Sequence, residues 1–242
     1  MTESDWLSTD SPSRLFQHVR SRLSARKLQL LACGCCRLLD GLFSDTQRAM
    51  LAVVERHADG LATRDEYQGA IDEFGRGVNP LFQTELGFSS PNPVSTAFAQ
   101  ALMATVSTPA DFALQRAVDW VGSVAAREAG TGAAMNARRE MNRRVCGVFR
   151  EVAGNPFCER VVAGPEWTAA GGRAAPWMLR VSETARGIAL GVQTEQAYDR
   201  LPILADALED DGCTDDELLF HFRHHPTHLR GCWALDLVLG KS

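Results

Sequence analysis

A chain of 242 residues, 45% hydrophobic and 23% charged, can bury its own core without disulfides or metal as staples. Its net charge of −5 argues against a domain whose main task is binding nucleic-acid phosphates. The opening MTESDWLSTDSPSR lacks the basic and apolar regions of a signal peptide, no apolar run reaches membrane-spanning length, and seven cysteines, three of them in CGCC, make a poor disulfide framework. These features predict a cytoplasmic protein.

The punctuation then reads as helix after helix. Ser11-Pro12 predicts a short helix through Leu15, Phe16 and Val19. Ser24 caps ARKLQLLACGCCRLLDG, whose Leu28, Leu31, Ala32, Cys35, Leu38 and Leu39 follow the helical period. Ser44 or Asp45 opens SDTQRAMLAVVERHADG, and Gly60 lies past its end. Thr63 and Glu66 form a capping box for RDEYQGAIDEF. From Gly75 to Pro93, glycines and prolines predict a long loop. Helical spacing resumes in VSTAFAQALMATV. Thr108-Pro109 opens a helix through Leu114, Val118, Val121 and Val124, and a further helix carries Met135, Met141, Val145 and Val148 up to GNP.

A second irregular stretch follows, FCERVVAGPEWTAAGGRAAP. Its ERVV suits a strand, with no partner in sight, and WMLRVSETARGIALGV is weakly helical. Asp199 is the expected cap of RLPILADALEDD. Thr214 with Glu217 forms a box for DDELLFHFRHH, Pro226 breaks that helix, and Thr227 caps HLRGCWALDLVL. The expectation is an all-α, irregular domain of roughly ten helices over residues 1–242, with subdomain seams near 75–93 and 155–175.

Chemistry concentrates in DGCTDDELLFHFRHHPTHLRGCW. His221 and His225 are four apart and share a helix face, as do His228 and Cys232 across the Pro226 turn. These four make a His₃Cys candidate for zinc, with His224 as a substitute for His225. Cys213 is an alternative ligand, but eight helical residues place it about 12 Å from His221 along the axis. The plainer account is a helix with acids Asp215, Asp216 and Glu217 at its start, bases His224 and His225 at its end, and a core Cys232. Glu209, Asp210, Asp211, Asp215, Asp216 and Glu217 surround Cys213, which argues against a reactive thiolate there, and the spacing fits no calcium loop.

Cys33, Cys35 and Cys36 read as small side chains at a tight helix crossing; as ligands they need partners such as Cys146 or Cys158. Arg138, Arg139, Arg143 and Arg144, with Arg150 beyond, form a basic stripe able to bind an acidic partner or phosphates, although such a stripe is more often a solvated face. No phosphate loop, HExxH or GxSxG motif is present.

At RKLQLLACGCCRLL, GNPF and YDRLPILADALEDDGC…HLRGCWALDLVLGK the chain resembles a family of uncharacterised bacterial proteins. The resemblance covers both ends and implies no activity. Its pattern includes the positions of Cys213, His221, His228 and Cys232, whereas His224 and His225 are particular to this chain. The functional expectation is a non-enzymatic helical interaction or adaptor module with a protein partner and no cofactor. The alternative is a zinc-binding protein or metal-dependent hydrolase built on the C-terminal His/Cys cluster.

Overall fold

The structure, a computed structural model, describes residues 1–85, 110–158, 161–162, 178–179 and 181–241. Within them the chain is all-α, as expected. The helices are α1 (Glu3–Ser8), α2 (Pro12–Val19), α3 (Ala25–Arg37), α4 (Asp45–Ala58), α5 (Arg64–Glu85), α6 (Ala110–Glu128) and α7 (Gly130–Ala153). They continue with α8 (Glu183–Glu195), α9 (Leu201–Asp210), α10 (Asp216–His224) and α11 (Trp233–Leu239). No helix among the described residues is long and apolar enough to cross a membrane.

Contacts gather into two compact units, Met1–Phe149 and Arg150–Ser242, where the sequence led us to expect one domain. The division falls inside α7, ahead of the expected 155–175 seam. An uninterrupted helix carries no composition shift to announce such a boundary.

In the first unit three of the expected caps form, whereas Ser11 precedes α2 without a side-chain capping bond. Ser24 accepts from the Lys27 N–H, and Ser44 and Gln47 make a reciprocal box. Thr63 and Glu66 do the same, with Glu66 Oε2 accepting from the Thr63 N–H at 2.7 Å. A helix nucleated this well adds one backbone bond per residue as it grows. That corrects the predicted loop: α5 continues through Gly75, Gly77 and Pro80 to Glu85, and residues 86–93 lie outside the described residues, as does VSTAFAQALMATV.

Helix α3 packs against α6 and α4. Cys33, Cys35, Cys36 and Cys146 are fully buried, and burial pushes the Cys36 thiol up to about 12, so these are packing groups rather than reactive thiols. The basic stripe is partly tied down within this unit. Arg143 bonds Asp10 and Glu140, and Arg144 donates to the Leu38 carbonyl. Arg138 lies against Gly122.

The second unit is built on Ala185, Ala189 and Val192 of α8, Leu201, Leu204 and Leu208 of α9, Leu218 and Phe222 of α10, and Leu235 and Val238 of α11. Three local expectations shift here. Val161–Val162 (β1) does find a strand partner, Met178–Leu179 (β2), in parallel register, so Met178 and Leu179 are not helical; Ser182 then caps α8 by accepting from the Ala185 N–H. A short 3-10 turn, Tyr198–Arg200, leads into α9 in place of an Asp199 cap, and Pro202 in the first turn sets its entry. Asp215 rather than Thr214 caps α10, accepting from the Leu218 N–H at 3.0 Å.

The largest shift is after Pro226. Residues 226–232 form no helix. Gly231 takes a left-handed φ of +88°, Cys232 N–H donates to the Leu229 carbonyl, and α11 starts only at Trp233. A Thr227-capped helix was the sequence expectation; the turn at Gly231 replaces it.

Candidate metal centre

Each element delivers one or two donors to a common point. Helix α7 carries a stripe of buried apolar side chains, Met141, Val145, Val148 and Val152. Glu151 lies at the buried end of that helix and is only 3% exposed. Helix α10 buries Leu218, Leu219, His221 and Phe222 and leaves Phe220 and His224 outside. The non-helical 226–232 segment brings His228 and Cys232 back to the same place.

Glu151, His221, His228 and Cys232 each offer one donor atom, and these four atoms all lie within 4.8 Å of one another. His221 Nε2 is 3.2 Å from Cys232 Sγ and 3.4 Å from Glu151 Oε2. His228 Nδ1 is 3.3 Å from Glu151 Oε1 and 4.0 Å from Cys232 Sγ. A tetrahedral ion with bonds of about 2.0–2.3 Å requires donor separations of about 3.3–3.6 Å. The spacings of 3.2–4.0 Å run from near that range to above it, and the two to Glu151 involve different oxygens, so small side-chain rotations would be needed to close the four donors on an ion.

Two aromatic rings border the group. The Trp233 ring lies 5.2 Å from that of His221, and the Tyr198 ring 6.0 Å from that of His228. Glu151 Oε2 is buried and has no hydrogen bond among the described residues, though His221 Nε2 and His225 Nδ1 stand 3.4 and 3.3 Å away. Burying an ionised carboxylate costs several kcal/mol, on the order of what only a well-placed counter-charge offsets. Burial, reinforced by the Glu151 charge, raises the Cys232 thiol well above the ordinary thiol range. A bound cation reverses that preference, because a coordinating thiol is deprotonated outright. One divalent ion would answer both problems. A thiolate, two imidazoles and a carboxylate form a borderline-soft set that suits zinc and not calcium or magnesium.

Of the four sequence candidates, His221, His228 and Cys232 come together and His225 does not supply a fourth donor. Its Nδ1 lies 2.7 Å from the Thr227 carbonyl oxygen. A carbonyl only accepts, so Nδ1 carries the proton and is not a donor atom for a metal, and His225 is not among the residues whose donor atoms converge. His224 stacks near Phe220 at 4.7 Å, away from the cluster. Cys213 packs beside the apolar core, where burial first, then the charges of Asp215 and Glu209, raise its pKa. The carboxylates around it have other tasks: Asp211 accepts from the Ser182 N–H, and Arg223 holds Asp206 and Glu209.

Glu151 escaped the sequence reading. Its signal was a lone acid beside Val148, Phe149 and Val152 on an otherwise apolar face, far along the chain from the histidines. Comparison of the chain with protein-family models, with curated proteins and with solved structures finds no match.

Proposed function

We propose that residues 150–242 form a zinc-binding module. In it Glu151, His221, His228 and Cys232 hold one ion that clips the end of α7 to α10 and to the segment before α11. The carrying observation is the convergence of four buried donors around an unpartnered carboxylate oxygen. The role is structural. Catalytic zinc keeps an open coordination position, whereas here four protein donors are available to fill a tetrahedral shell and none of their side chains is more than 9% exposed. The resemblance noted above supports His221, His228 and Cys232, and supports Cys213 in a place that the cluster gives to Glu151.

The test is elemental analysis of untagged protein beside Cys232→Ala and Glu151→Ala. One zinc per wild-type chain, lost in both variants, is the expected result. Zinc retained in both overturns the ligand set, and no divalent metal in the wild type overturns the proposal.

A helical interaction module is the second reading, and it concerns the outside of the same unit. Leu190, Ile203 and Phe220 are large apolar side chains 51%, 57% and 65% exposed. If they meet a protein partner, changing them to serine abolishes association while leaving the zinc content unchanged.

A further inference from the structure

The two oxygens of Glu151 have unlike surroundings. Oε1 accepts from the Leu229 N–H at 3.4 Å and faces His228 Nδ1. Oε2 faces His221 Nε2 at 3.4 Å and His225 Nδ1 at 3.3 Å, and forms a hydrogen bond with neither. The His225 ring also stacks on His221, with centroids 4.7 Å apart and planes at 27°. Its position is fixed from the chain side: His225 ends α10, its own N–H donates to the His221 carbonyl, and Pro226 follows.

His225 is therefore a fifth polar group at a four-ligand site. Its protonated Nδ1 rules that atom out as a ligand and makes it a donor instead. Within 3.3 Å of that donor stands Glu151 Oε2, the carboxylate oxygen of Glu151 that lacks a hydrogen bond among the described residues.

We infer that His225 is a positioning residue for Glu151. In the zinc-loaded site its Nδ1–H would be shared between the Thr227 carbonyl and Glu151 Oε2, and so would fix the carboxylate orientation that offers an oxygen to the ion. This rests on the zinc reading. In that arrangement Leu229 N–H holds one carboxylate oxygen, His225 steadies the other, and the side chain loses its freedom to rotate away. Partners of this kind, one bond removed from a metal, are typically worth about 10–100-fold in metal affinity.

The experiment uses the full chain as wild type, His225→Ala and His225→Asn. Zinc affinity is measured by competition with a chromophoric chelator, the metal-free proteins are melted by circular dichroism, and Co²⁺ spectra report the ligands. Alanine should weaken zinc about 10–100-fold while keeping the thiolate-to-cobalt band and the metal-free melting temperature. Asparagine should restore affinity to within a few-fold, since its Nδ2–H can stand where the imidazole Nδ1–H stood.

Wild-type affinity in His225→Ala overturns the inference. So does an affinity loss that tracks a fall in metal-free melting, which marks a merely structural role. A changed coordination spectrum in His225→Ala also overturns it, by making His225 a ligand. Wild-type protein that takes up neither zinc nor cobalt overturns the zinc reading itself, and this inference with it.

Discussion

Gly154→Ala is the perturbation whose cost the structure defines most closely. Gly154 follows α7 with φ at +69°, and a Cβ built there meets Trp233 Cγ at 2.9 Å and Trp233 Cβ and Cδ2 at 3.1 Å. The left-handed backbone costs an alanine about 1–2 kcal/mol. The clash adds about 1–3 kcal/mol, as overpacking does. The touching atoms are the root of the indole, not its far end, so the first turn of α11 must move to relieve them. The sum is about 2–5 kcal/mol. Gly212→Ala is the control: φ is +87° there, but an added Cβ meets nothing within 4 Å, so only the backbone term applies. Hydrogen exchange of core amides in α9 and α10 reads the opening free energy of this unit directly. Gly154→Ala should speed it about 30-fold to several thousand-fold, since about 1.4 kcal/mol is a factor of ten. Gly212→Ala should fall at least several-fold short of that. Equal effects at the two glycines would refute the packing of Trp233 against Gly154, and with it the placement of Cys232 beside the end of α7.

The remaining predictions concern the site and its neighbours. Chelation should destabilise the second unit: a ligand at a thousandfold excess over its Kd contributes about 4 kcal/mol, and about 4–8 °C per kcal/mol in a unit of this size makes the loss obvious by calorimetry. Glu151→Gln should weaken zinc at least about tenfold, yet leave the metal-free protein as stable as wild type or more so, because it removes a buried charge with an unpartnered oxygen. A drop in metal-free melting temperature would contradict that. His224→Ala should change stability by no more than about 0.5 kcal/mol and leave zinc content intact, as for a surface site. Zinc content in Cys213→Ser should also match wild type; loss of the ion there would restore Cys213 as a ligand.

Much of the helix pattern was legible because its signals are local. A hydroxyl at an N-cap, a reciprocal acid three residues on, and a glycine past the end each act within one turn, so Ser24, Ser44, Thr63 and Gly60 stand where their chemistry predicts. The misses have two physical sources. At Gly75, Gly77 and Pro80, residues that disfavour helix were outweighed by propagation from a well-capped start. Near Thr214 and Asp215 two adjacent residues can both cap, and one residue of offset decides which does.

The site was legible in part for the same reason. His221, His228 and Cys232 are near neighbours in sequence, so spacing alone could group them. His228 and Cys232 do not share a helix face, as the four-residue spacing suggests; the Gly231 turn brings them together. Glu151 is contributed from some seventy residues upstream, about where no periodicity argument reaches. His225 satisfied the spacing rules, yet its donor atoms fall outside the converging group and its Nδ1 bonds the Thr227 carbonyl, a placement that only the three-dimensional structure reveals.

The ligand set itself is the central claim, and X-ray absorption at the zinc edge of the purified protein tests it most directly. The account predicts four-coordinate zinc with one sulfur at about 2.3 Å and three nitrogen or oxygen donors at about 2.0–2.2 Å, the sulfur vanishing in Cys232→Ala. Two or more sulfurs, or a shell of nitrogen and oxygen alone, would contradict it.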